Sequence, residues 1–248
     1  MKRLRRALGL VTALAALASA AVAAGPPRSG FEDMAPSTQA LQREDSLNPG
    51  WLTLLDGQDR FQRDCSTCHT LASLRGAAPR YPAFDTATGR PITLAGRINR
   101  CRAVRGKQAP YPAESAALLG LQTAVGHASR GLPIQPPVDA RLTPWRAQGQ
   151  ALFTQRMGQL ALSCAQCHDQ HSGGRLAGNT IPQGHPNGYP LYRLEWQGVG
   201  SLQRRLRNCM TGVRAEPFGF GSDEFMALEL HLLQRAAGLT LETPAVRP

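Results

Sequence analysis

Apolar residues recur at helical spacing in three stretches of the chain. Pro144 to Leu162 sets Trp145, Leu152, Phe153, Met157 and Leu160 at intervals compatible with one face, which predicts a helix leading into Cys164. Glu114 to Val125, with Leu118, Leu119 and Leu121, predicts another. Ser222 or Asp223 can cap a third that carries Phe225, Met226, Glu229, Leu230 and Leu233 and stops near Gly238. No segment alternates apolar and polar residues over strand length, and no hairpin dipeptide separates β-branched runs. The pattern predicts an all-α chain.

The ends and the charge refine this. Met1 to Arg6 is basic, Ala7 to Ala20 is an Ala/Leu-rich apolar run, and Ala21-Val22-Ala23 offers small residues for a peptidase. Residues 1–24 therefore read as a cleaved export signal, cut near Ala23–Gly25, which implies a periplasmic protein. The run is too short and too Ala-rich for a good membrane span, and no later segment is apolar for long enough to be one. That signal holds four cations, Lys2, Arg3, Arg5 and Arg6, and no acid, so its removal lowers the formal net charge from +11 to +7. The remaining arginines are scattered rather than gathered into a stripe, and no recognition motif appears, which argues against nucleic acid. A modestly basic surface instead favours small anions or an acidic partner. Residues 25–50, rich in Pro, Ser, Gly and charge, read as an extension that is either disordered or wrapped over a partner.

The rest is a tandem duplication. Cys65-Ser-Thr-Cys68-His69 recurs as Cys164-Ala-Gln-Cys167-His168. Each is followed by Tyr-Pro, at Tyr81-Pro82 and Tyr189-Pro190, and then by a lone cysteine, Cys101 or Cys209, with an arginine four residues earlier, Arg97 or Arg205. Each unit closes near Gly-Leu, at Gly131-Leu132 and Gly238-Leu239. The three prolines within residues 132–140 mark an extended linker between domains 51–131 and 141–248.

Two thiols three positions apart with an adjacent histidine are what covalent haem c requires: two thioethers, and an imidazole aimed at the iron. A zinc site would have to gather ligands from Cys pairs about a hundred residues apart, and a thioredoxin-like pair would need a βαβ context that is absent. The expectation is therefore two tandem cytochrome c-like helical domains joined by a Pro-rich linker, holding two covalent haem c groups through Cys65, Cys68, Cys164 and Cys167. Each unit has few apolar residues for a core, and a haem supplies the missing contact surface. No methionine lies between His69 and the linker, leaving Cys101, His127 and Lys107 as local iron ligands; the second unit offers Cys209, Met210, Met226, His171, His185 and His231. Cysteine alone occupies the same repeat position in both units, which points to axial pairs His69/Cys101 and His168/Cys209. The competing reading is a disulfide between Cys101 and Cys209.

The second unit reads Arg205-Leu-Arg-Asn-Cys209-Met210-Thr-Gly-Val-Arg214-Ala-Glu216-Pro217, and the tail adds Glu229, Arg235-Ala-Ala-Gly238 and Pro244-Ala-Val-Arg247. Over nearly the whole chain after the signal this order resembles the SoxA family, the catalytic subunits of SoxAX cytochromes; the intact Cys65, Cys68 and His69 match its two-haem type. The resemblance implies an L-cysteine S-thiosulfotransferase that pairs with a one-haem SoxX-type subunit. It would couple thiosulfate to a cysteine of the carrier SoxYZ and pass two electrons to a small cytochrome c. It also implies that Cys209 is the catalytic, persulfide-bearing cysteine, with Arg205 and Arg235 binding substrate. Arg97 stands in the same relation to Cys101, so Arg205 can equally be a structural device such as a haem propionate partner. A thiosulfate dehydrogenase and a plain electron carrier are the rival functions.

Overall fold

The computed structural model describes residues 25–248; the export signal predicted for residues 1–24 lies outside them. Helix α1 (Pro36–Arg43) precedes α2 (Trp51–Asp64), a strand pair β1 (Ala83–Asp85) and β2 (Arg90–Ile92), and helices α3 (Leu94–Val104) and α4 (Ala116–Ala128). The second half repeats the plan with α5 (Thr143–Thr154), β3 (Arg175–Leu176), β4 (Asn179–Thr180), β5 (Leu191–Arg193), β6 (Gly198–Gly200), α6 (Leu202–Gly212), α7 (Asp223–Arg235) and β7 (Ala245–Arg247). No helix of the described residues is long and apolar enough to cross a membrane.

Each half is organised by one close helix crossing. A Cβ on Gly57 of α2 would lie 1.9 Å from the Gly120 carbonyl oxygen of α4, and one on Gly149 of α5 would lie 2.0 Å from that of Ala227 in α7. Both glycines stand four residues before a buried phenylalanine, Phe61 or Phe153. Phe61 packs with Leu121 and Val125; Phe153 packs with Met210, Phe225, Leu228 and Leu232. Bare backbone at the crossing lets the helices approach, so the aromatic ring can reach the apolar face opposite.

The all-α expectation is corrected by three small sheets. β1 and β2 pair antiparallel, as do β3 and β4, while β5 lies between antiparallel β6 and parallel β7. Strands of two or three residues are too short to show alternation, and the β5–β6 turn puts the non-glycine Gln197 at φ 48°, so no hairpin dipeptide announces it. The helix predicted over 144–162 is also too long, because α5 ends at Thr154. Gln155 to Ser163 turns back through paired bonds between Met157 and Leu162 (3.0 and 3.2 Å) and seats on Val213 and Arg214. Gly158 has φ +68°, and a Cβ there would meet the Val213 carbonyl at 2.1 Å, a conformation no continuing helix could adopt.

Residues 25–50 are ordered and strap the chain's own second half. Arg28 N donates to Gln183 Oε1 (2.8 Å), Asn48 Nδ2 to the Pro244 carbonyl (2.9 Å), and Val246 N to Gln42 Oε1 (3.0 Å). The proline-rich segment is held as firmly, since Ile134 is buried and exchanges backbone bonds with Gly238 and Leu239.

Between the halves lies a cavity of about 280 Å³ that Tyr81, Gln122, Tyr189, Gln203 and Glu229 help to line. Burial raises the Glu229 carboxyl from 4.5 to about 7, against the opposing hydrogen bond that Gln203 Nε2 donates to it (2.5 Å). The folded value exceeds the unfolded one, so this contribution is full below about pH 4.5 and is lost as pH climbs through 7. Glu229→Gln is expected to remove that loss, gaining about 1–2 kcal/mol over the parent at pH 8 and little at pH 5, the full shift being discounted for the cavity's room for water. Urea unfolding at both pH values checks it; parallel losses in the two proteins would refute it.

Candidate active site

Cys164, Cys167 and His168 follow the Gln155–Ser163 loop. Ser163 N donates to Gln166 Oε1 (2.9 Å) and Gln166 N to Ser163 Oγ (3.2 Å), a reciprocal cap that starts the turn. One π-helical turn, Gln166–Gln170, then aims His168 inward. Its Nδ1 lies 2.7 Å from the Pro182 carbonyl oxygen, and with the proton on Nδ1 the bond fixes the ring and leaves Nε2 for a metal. Gly184 packs against the ring, where a Cβ would come within 3.0 Å of Cγ.

Cys209 approaches from α6. Ser201 Oγ caps this helix by accepting from Arg204 N (3.2 Å), and one turn separates Arg205 from Cys209. His168 and Arg205 both act on the Cys209 thiol. Burial acts to raise its pKa, but His168, Arg205 and Arg193 outweigh that, and the thiol lies below its ordinary value. Cys164 differs: burial, reinforced by the charge of Cys209, pushes it up to about 11. Cys209 is thus the thiol in this cluster that the surroundings favour as an anion.

Arg205 is largely buried, which opposes its charge, yet Cys209, Tyr189 and Glu195 together raise its pKa. No carboxylate lies within ion-pair distance of it among the described residues. Arg235 has other company. It pairs with Asp169 (2.6 Å), reaches the Gln183 carbonyl (3.4 Å) and stacks over Phe153 (4.5 Å), all beside the His168 turn.

The first half holds the same parts in different company. Cys65 ends α2, its backbone N–H bonded to the Phe61 carbonyl (2.9 Å), and burial raises its thiol, with the charges of Asp64 and of Cys101 on α3 adding to it. Arg97 pairs with Asp85 (3.1 Å), which also takes Arg100 (2.8 Å). His69 is exposed. His127 packs edge-on against Trp51, away from this cluster.

All six cysteines are free thiols, so the alternative disulfide between Cys101 and Cys209 is not formed. No group of three or more His, Cys, Asp and Glu among the described residues is gathered for a zinc ion. The donors do suit haem c, with a cysteine pair, a fixed imidazole and a cysteine across from it. The apolar flanks suit it too: Leu94 and Ile98 on α3, and Leu202 and Leu206 on α6, are only half covered. Among the groups that the sequence suggests, a macrocycle bonded through both thiols and ligated by the neighbouring imidazole is the one that uses them all, and the chain is a c-type cytochrome.

Comparison with known proteins narrows the class. The SoxA/TsdA cytochrome c domain model matches residues 57–134 and 148–241, and the chain belongs to this family. The L-cysteine S-thiosulfotransferase subunit SoxA of Pseudaminobacter salicylatoxidans is 33% identical over 88% of this chain and 80% of its own length. The subunit of the same name from Paracoccus pantotrophus is 31% identical, over 88% of this chain and 78% of its own. A chain in the crystal structure of SoxXA from P. pantotrophus superposes with a TM-score of 0.85 at 31% identity, covering 89% of this chain and 86% of that one.

Sequence reasoning missed Pro182, Tyr189 as a half-buried neighbour of Cys209, and Asp169 as the partner of Arg235. A backbone carbonyl has no signature in the sequence. Tyr189 did have one, since the Tyr-Pro pair recurs, but its burial depends on the packing.

Proposed function

We propose that this chain catalyses the oxidative joining of thiosulfate to a cysteine of a carrier protein, as an L-cysteine S-thiosulfotransferase. The observation that carries the reading is Cys209, a thiol facing His168 with Arg205 and Arg193 around it, all three favouring its anion. In this reading Cys164, Cys167, His168 and Cys209 would together hold one haem c. Cys65, Cys68, His69 and Cys101 do the same for a second. When bound, haem c supplies one-electron steps and a route out for the electrons.

The residues of the chain do the rest. Arg205 draws in the thiosulfate dianion and orients it by its sulfonate oxygens. Cys209, held as a thiolate, forms an S–S bond with the outer sulfur of thiosulfate as two electrons leave, and the carrier thiolate then attacks that outer sulfur, so that the intact thiosulfate moves to the carrier and Cys209 departs as a thiolate. Arg235 acts from the imidazole side, where its pair with Asp169 steadies the His168 turn. Overall, the outer sulfur of thiosulfate forms an S–S bond with the carrier cysteine. The thiol proton goes to water, and two electrons pass to two one-electron cytochrome c acceptors. The likeness to a chain of the SoxXA structure supports a heterodimer with a SoxX-type subunit, which this reading gives one haem, and the reading takes SoxYZ as the carrier. The export signal supports a periplasmic setting.

The test is product analysis with purified heterodimer, thiosulfate, carrier and oxidised cytochrome c. A carrier cysteine bearing thiosulfate, with two acceptors reduced per adduct, is expected. Tetrathionate formed without carrier would instead make the protein a thiosulfate dehydrogenase. Arg205→Ala is expected to raise KM for thiosulfate about tenfold with unchanged haem spectra. Altered spectra with an unchanged KM would reassign Arg205 to a haem propionate.

A further inference from the structure

The two halves correspond residue for residue from Tyr81 to Cys101 and from Tyr189 to Cys209. The correspondence covers the Tyr–Pro pair, the strand pair, the caps Thr93 and Ser201, the arginines 97 and 205, and the lone cysteines. At one position the charge reverses in sign. The last residue of β1 is Asp85, and the last residue of β5 is Arg193.

Asp85 is buried, 3% exposed, and takes three partners: Thr88 Oγ1 (2.8 Å), Arg97 (3.1 Å) and Arg100 (2.8 Å). It balances the arginine beside Cys101 from within and adds a negative charge there. In the second half Arg100 is replaced by Asn208, Thr88 by Trp196, and Asp85 by a second cation. Arg193 is 9% exposed and lies over Trp196, 5.3 Å from the ring centroid. Its carboxylate partner, Glu195 (2.9 Å), has a side chain 58% exposed to solvent, where such a pair is worth little. Its Nε is buried with no acceptor. A buried guanidinium N–H without a partner next to an unpaired Arg205 and a thiol is an arrangement that an incoming anion completes.

The charge balance needs it. A thiosulfate dianion carries two negative charges, and Arg205 alone offers it one positive charge. We propose that Arg193 is the second substrate-binding cation, sharing the sulfonate of thiosulfate with Arg205, and that its exchange for Asp85 closes the first half to anions. The proposal rests on the function proposed above. It makes Arg193 a specificity-determining residue and assigns Cys101 to electron transfer alone.

The test uses the haem-loaded heterodimer with carrier and oxidised cytochrome c. Arg193→Gln is expected to raise KM for thiosulfate about tenfold or more, with kcat within about twofold and the low-spin haem spectrum unchanged. Arg193→Lys keeps the stem and charge but loses the planar fork, and should fall between. Arg193→Asp recreates the pairing of the first half and should abolish saturation by thiosulfate. If the glutamine variant fails to load haem, the lysine variant decides: a rise of about threefold or more supports the assignment. An unchanged KM, or a raised KM with a shifted haem spectrum or potential, overturns it and makes Arg193 a partner of the haem edge. A parent heterodimer with no thiosulfate-dependent transfer would defeat the functional reading itself, whereas an active parent with insensitive Arg193 variants defeats only this assignment.

Discussion

Cys209→Ala is expected to retain the covalent haem of the parent and lose thiosulfate-dependent transfer by at least about a thousandfold, the scale on which covalent mechanisms lose their nucleophile. In the proposed function haem attachment falls to Cys164 and Cys167 on the turn after Ser163, and Cys209 reaches the site from a separate, independently capped helix. Deleting its thiol leaves Phe153, Met210 and Phe225 in the core that supports both. The chemistry suffers because the next thiol in the cluster, Cys164, lies at about 11 and is committed to attachment. Intact-mass measurement of haem content and of any additional sulfur, alongside turnover, checks both halves of this expectation. A fully active alanine variant would end the proposed mechanism and leave an electron carrier.

The second large effect is on stability. Gly149→Ala should cost about 3 kcal/mol, because the new methyl would sit 2.0 Å from the Ala227 carbonyl oxygen and 2.8 Å from the His231 Cβ, and backbone cannot rotate away as a side chain can. Helices α5 and α7 must separate to admit it, and Phe153 would then lose contact with Leu228 and Leu232. Gly212→Ala is the control. It sits on the last turn of α6 with nothing within 4 Å of an added Cβ, and should change stability by less than about 0.5 kcal/mol. Denaturant midpoints measured side by side separate the two; equal stability of both variants would show that the crossing tolerates a methyl group and that the close approach is not structural.

The sequence by itself determined the class of chemistry. Two Cys-x-x-Cys-His turns, lone cysteines at matching positions and an arginine one helical turn before each are local patterns, and local patterns survive in one dimension. It also determined where α7 starts, since Ser222 sits where an N–H needs an acceptor. The expectations that failed were those where local propensity competes with distant contacts. Thr154 ends α5 because Gly158 must fit against Val213, and residues 25–50 are ordered because Gln183, Pro244 and Val246 receive them from far along the chain. Tertiary structure alone decided that Asp85 neutralises Arg97 while Arg205 has no such partner. A charge has no meaning for a site until folding sets which countercharge lies within a few ångströms and how much water stands between them.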